Sequence, residues 1–249
     1  MTDNIHLLLP LTSAILYGIG SLGLRAASQE GVSPWRTTFV TNWVSALAFL
    51  IYVRGWPTPE LPEAWLPVLG MGLIFFLGNT LTVLSLTYGD VSVATPVLAA
   101  KVMIVVAILT FLNAGEITPA TWIAGALTVT GVILLQRQGK DQVRHHHVTL
   151  TIVLSLAAST CFALFDLGIQ FLSAAHGFHR VAPYAIQVAA LLSLGLLTFC
   201  NMPYREIPPT AKRYIWTGAS LITLQATILI FSLGTFQDAA NINIVYGSR

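Results

Sequence analysis

Charge is what this chain has least of. Of its 249 residues only 9% are Asp, Glu, Lys or Arg, against a hydrophobic share of 55% and a mean hydropathy of +0.75. An ordinary soluble domain carries about 25% charged residues. So thin a supply of polar surface excludes a large water-soluble protein. The net charge of +2 comes without a basic run, which removes the usual signature of a nucleic-acid partner. There are two cysteines, Cys161 and Cys200, both inside apolar runs. They read as free thiols packing as small hydrophobes rather than as a disulfide. The N-terminal Met-Thr-Asp-Asn-Ile-His lacks the basic region of a signal peptide, so the first apolar run reads as a retained span. Catalytic signatures are missing too: no Gly-x-Ser-x-Gly, no His-Glu-x-x-His and no paired acids within the spans. The consecutive His145, His146 and His147 cannot all face one ion on a helix, and no Cys or acid completes a ligand set. The expectation is neither an enzyme nor a holder of a metal or cofactor.

Long apolar runs are what the chain does have. The stretch Tyr88–Leu135 contains two of them, 91–112 and 118–135, flanked by a hinge at Asn113-Ala114-Gly115-Glu116. Each is close to the roughly 20 residues a helix needs to cross about 30 Å of hydrocarbon. The short hinge makes them an antiparallel pair, with Glu116 read as a turn residue that caps the second. Further spans are read at 5–27, 35–53, 64–87, 148–174, 181–200 and 213–236. Ser13, Tyr17, Ser21 and Arg25 recur at every fourth position, so they share one face of the first span. Thr38, Thr41, Asn42 and Ser45 do the same in the second, and Asn79 with Thr82 in the third.

The chain repeats itself. Residues 217–249 lie on 69–101 without a gap, so that Gly218 meets Gly70, Asp238 meets Asp90 and Arg249 meets Lys101. The sixth span lies on the first, where Asp166 meets Ser21. Five spans before the repeat is an odd number, so the second copy enters the membrane with the opposite orientation. Inverted repeats of this kind are typical of secondary transporters, with the substrate site near the midplane between the halves. The expected fold is all-α and polytopic, with two inverted five-helix repeats. The second is incomplete, giving about eight full transmembrane helices plus part of a ninth. The expected units are 1–137, a polar linker at 138–147 and 148–249. By the same mapping Arg249 falls midway along a helix, so a fragment or truncated product is expected.

At this point the residues carry a family resemblance. Tyr17-Gly18, Arg25 and Pro34 resemble the first hairpin of the drug/metabolite transporter superfamily in its EamA-type branch. So do Gly115-Glu116, Trp122-Ile123-Ala124-Gly125-Ala126 and Gly131-Val132. The resemblance covers the first half along its whole length and the second more weakly. It implies ten helices and the export or exchange of a small polar metabolite through a central cavity. Asn42 and Lys101 depart from the family pattern, which points to a sub-branch with its own ligand. Topology signals conflict. Eight Lys and Arg residues follow odd-numbered spans and two follow even-numbered ones, which places the N-terminus outside, whereas the resemblance implies inside.

The functional expectation is a secondary transporter in the plasma or inner membrane, carrying a small polar, and in one form anionic, metabolite by alternating access. Its partners are that metabolite and the bilayer. The alternative is a non-transporting membrane module or an inactive truncated transporter. Lys101 is the leading site residue, because a lysine inside a span costs on the order of 2.5–3.5 kcal/mol and is usually functional. It binds an anion or is permanently paired. Asp166 is read as its counter-ion, with proton coupling the alternative. Arg249 inherits the anion argument through the repeat. Tyr17, Ser21, Asn42, Asn79, Gln187 and Gln225 form the expected polar lining, each of which can also serve as interhelical hydrogen-bonding glue.

Overall fold

The computed structural model describes residues 5–52, 62–89, 91–113, 117–137, 148–200 and 203–247. Glu116, the expected linker 138–147 with its histidine run, and Arg249 lie outside the described residues. Every described element is helical. In chain order these are α1 (Ile5–Gln29), α2 (Pro34–Phe49), α3 (Pro62–Tyr88), α4 (Val91–Ala99), α5 (Lys101–Phe111), α6 (Pro119–Arg137), α7 (Val148–His176), α8 (Phe178–Ser193), α9 (Pro209–Phe236) and α10 (Ala239–Tyr246). Short 3-10 turns follow α2 and α8. Both cysteines are free.

Five crossings are long and apolar enough to span a membrane among the described residues: Leu8–Gln29, Trp65–Tyr88, Val148–His176, Phe178–Phe199 and Pro209–Phe236. The expectation of about eight full transmembrane helices is therefore overstated. Three of the expected spans, the second, fourth and fifth, are missing from that set, and in the second and fourth the helix is visibly interrupted. The α-helical part of the second run stops after 16 residues and winds into a 3-10 turn. The fourth run is broken at Ala100 into α4, of 9 residues, and α5, of 11. Ser159 on α7 bridges the break, its hydroxyl lying 3.1 Å from the carbonyl of Val97 and 3.2 Å from that of Leu98. Backbone carbonyls within an apolar bundle need such a partner.

The outer surface is what a hydrocarbon solvent requires. Leu66 is 78% and Leu127 66% exposed, and large apolar side chains of this kind coat α1, α3, α6 and α7. The polar side chains turn inward instead. Thr37, Thr38, Asn42 and Ser45 on α2 are all buried.

The turn between α1 and α2 is fixed by Gly31, whose φ of 85° is open to glycine but strained for other residues. The amide of Val32 donates to the Ala27 carbonyl and that of Gly31 to the Ser28 carbonyl. That pattern closes a helix C-terminus with glycine just past its end. Ser33 then accepts from the Arg36 amide and Pro34 opens α2, so the next helix begins at once.

Packing is set by pairs of antiparallel helices. Along α1 and α9, Ser13 donates to the Gln225 carbonyl, Gly20 faces Ile222 and Gly23 faces Gly218. The sequence numbers run in opposite directions, so the end of α1 lies beside the start of α9. Along α3 and α7, Ser85 pairs with Ser155 at 2.6 Å, Gly78 faces Phe162 and Met71 faces Gly168. A methyl group built on Gly218 would sit 2.9 Å from the backbone nitrogen of Leu24, which cannot move aside. Gly218→Val is expected to force α1 and α9 apart and cost about 1–3 kcal/mol, the usual penalty of overpacking. Thermal unfolding in detergent measures it. An unchanged midpoint would show that the two helices are not held at this spacing.

Aromatic rings cluster at one end of the bundle. Phe178, at the start of α8, meets Tyr52 edge-on at 5.6 Å and Phe231 at 5.8 Å. It also packs over Gly234 near the end of α9. By the antiparallel pairing of α1 and α9, this cluster lies opposite the end where α1 finishes and α2 begins.

Candidate functional site

Between these helices lies a cavity of about 520 Å³. Its walls come from α1, α2 and α3 on one side and from α7 and α9 on the other, with Lys101 of α5 and Tyr246 of α10 deep inside. At the far end of α1, Arg25 and Gln29 line it while remaining exposed, which marks the mouth.

The deep end carries the buried charges. Lys101 is the first residue of α5, just past the break, and is 5% exposed. Its Nζ lies 2.6 Å from Oδ2 of Asp166, which is 2% exposed. The two residues are far apart in sequence and are joined because α5 and α7 pack together. The ammonium also stands 4.8 Å from the ring centre of Tyr246, within cation–π range. Tyr246 in turn meets Tyr17 edge-on at 6.2 Å. Two buried charges at this distance cancel, and each removes from the other the cost of standing alone in an apolar medium. An anion approaching Lys101 therefore has to compete with a carboxylate already in contact.

The expected lining residues divide. Tyr17, Ser21, Asn79, Lys101, Asp166 and Gln225 all line the cavity. Asn42 sits behind the wall, accepting a 2.8 Å hydrogen bond from the amide of Asn79, while its own Nδ2 has no partner among the described residues. Gln187 faces elsewhere, its amide donating to the Ala46 carbonyl at 2.8 Å across α8 and α2. That is interhelical glue. Gln187→Leu is expected to cost only about 0.6 kcal/mol. Ligand affinity, measured by titration, is expected to be unchanged, and a large loss would put Gln187 back in the site.

Other residues line the cavity that the sequence reading did not assign to it. Arg25, Thr37, Thr38 and Thr41 surround the mouth side, and Thr82 stands on α3. The hydroxyl of Thr82 is buried and has no partner among the described residues. The four-residue spacing on α1 and α2 was the available signal for most of them. What it lacked was the knowledge that both polar faces meet in one space.

Groups of His, Cys, Asp and Glu able to hold a metal ion are absent among the described residues. A family model described as the EamA-like transporter family matches residues 4–137. None of the curated proteins compared matches the chain. Sixteen solved chains are similar in fold. One, a crystal structure described only as that of a protein, covers 98% of this chain and 96% of its own, with a TM-score of 0.65 at 17% identity. At that identity the likeness speaks for the fold alone.

Proposed function

This chain belongs to the EamA-like transporter family, and from that premise we propose that it is a secondary carrier of a small polar metabolite. The observation that carries the reading is the cavity, walled by both halves of the chain and reachable beside Arg25 and Gln29. In this reading the aromatic cluster around Phe178, at the opposite end, acts as the closed gate, so the space reaches one side of the membrane only, as alternating access requires of a single state. The opposite state would open the aromatic seal and close the mouth.

Two inverted halves are part of the proposal, and the packing partners support them. If α7 repeats α1 and α9 repeats α3, then the α1–α9 contact has its mate in the α3–α7 contact. Likewise α2 against α9 is matched by α8 against α3, while α2 and α8 face each other. Gly23 against Gly218 is answered by Gly168 against Met71, the neighbour of Gly70. In this scheme Tyr17, Ser21, Asn79 and Gln225 bind the ligand, and the Lys101–Asp166 pair forms the floor on which it rests. Proton coupling would act by opening that pair. The membrane in question would be the cell's bounding membrane.

The test is flux. Purified protein in proteoliposomes is expected to give saturable uptake or exchange of at least one member of a broad panel of small polar and organic-acid metabolites. Absence of flux across that panel, with protein shown to be folded, would count against a carrier.

A further inference from the structure

The line of residues Tyr17, Ser21, Arg25 and Gln29 runs down one face of α1, and all four line the cavity. With a rise of 1.5 Å per residue, Arg25 stands about 12 Å closer to the mouth than Tyr17. Arg25 is exposed, and among the described residues it has no carboxylate in ion-pair reach and no hydrogen-bond partner. Lys101, the other cation in the lining, is already held by Asp166. The uncommitted positive charge of the cavity is thus at its mouth, not at its floor.

Two further observations describe what fits beside it. Thr82, across the cavity on α3, is only 9% exposed, and its hydroxyl has no partner among the described residues. A buried hydroxyl in that condition is a group that an occupant would satisfy. Below the mouth, between the polar residues already named, Phe75, Phe162, Phe165 and Leu229 give the walls an apolar face. We infer that the cavity takes a small monoanionic organic acid, its carboxylate on the guanidinium of Arg25 and its apolar or aromatic body between these rings. A guanidinium offers two parallel N–H donors to a planar carboxylate. One such group balances one charge, so a dianionic phosphate is a poor fit. The inference rests on the carrier reading for treating the cavity as a substrate site, and it names the substrate class.

The experiment is a binding titration of the purified full chain in detergent, followed by thermal unfolding and calorimetry. The probes are 3-phenylpropionate, its neutral amide and inorganic phosphate. The acid is expected to raise the unfolding midpoint and to bind at least tenfold more tightly than the amide, with phosphate giving no shift. Arg25→Gln should bring the acid down to the level of the amide without lowering the midpoint of the empty protein, and Arg25→Lys should retain part of the preference. No binding of the acid, equal binding of acid and amide, an acid preference surviving in Arg25→Gln, or Arg25-dependent binding of phosphate would each overturn the inference. Labelled acid in proteoliposomes separates the two claims. Arg25-dependent binding without flux leaves the anion site standing and removes the carrier. Equal flux in wild type and Arg25→Gln does the reverse.

Discussion

Lys101→Met, with Asp166 left in place, is expected to lower the unfolding free energy by about 3–5 kcal/mol. The magnitude follows from burial. The two side chains are nearly inaccessible and 2.6 Å apart, so removing the ammonium strands a carboxylate in an apolar bundle. Asp166→Asn should cost a similar amount by stranding the lysine. The double variant Lys101→Met/Asp166→Leu is the informative partner, because neutral side chains of similar volume carry no desolvation cost. It should recover most of the lost stability while losing whatever the pair does in transport. Thermal unfolding of the three variants in detergent reads the first part, and flux reads the second. If the single variants unfold where the wild type does, the pair is not a structural necessity.

The second large effect is expected at the aromatic end of the bundle. Phe178→Ala should cost about 3 kcal/mol, since it empties a site where Tyr52, Phe231 and the Gly234 backbone converge on one ring. In the proposed carrier it also removes part of the closed gate. Proteoliposomes loaded with a small solute should therefore leak faster with this variant than with wild type. An equally tight membrane, together with an unchanged midpoint, would show that the seal lies elsewhere.

These two sites differ in how far the sequence foretold them. Lysine and aspartate stand out in apolar runs because a membrane taxes charge heavily, and two opposite charges in one bundle find each other. That argument reaches the pair Lys101–Asp166 without coordinates. It does not reach Tyr246, whose ring against the ammonium depends on α10 packing beside α5. Four-residue spacing put Tyr17, Ser21 and Arg25 on one face of α1, but not which of them would be free to act. Arg25 counted both as part of that polar face and as a charge bearing on topology, and only the structure puts it at the mouth of a cavity. Gln187 shows the opposite failure. A polar residue in a span has two uses, and nothing local distinguishes a ligand-facing amide from one that donates to Ala46 on a neighbouring helix. The break at Ala100 was also hidden, because neither glycine nor proline stands at Ala99, Ala100 or Lys101. Ser159, from a helix far along the chain, donates to the Val97 and Leu98 carbonyls there.

The contact between Nζ of Lys101 and Oδ2 of Asp166 also has an electrical meaning. A membrane voltage of 100 mV acts on each uncompensated elementary charge with about 2.3 kcal/mol. Joined, these two groups present the field with a dipole 2.6 Å long and no monopole. The pair itself then adds almost nothing to the voltage dependence of a rearrangement of the bundle. In the proposed carrier, current would then be set by the cargo and by any other charge that crosses the field, Arg25 included.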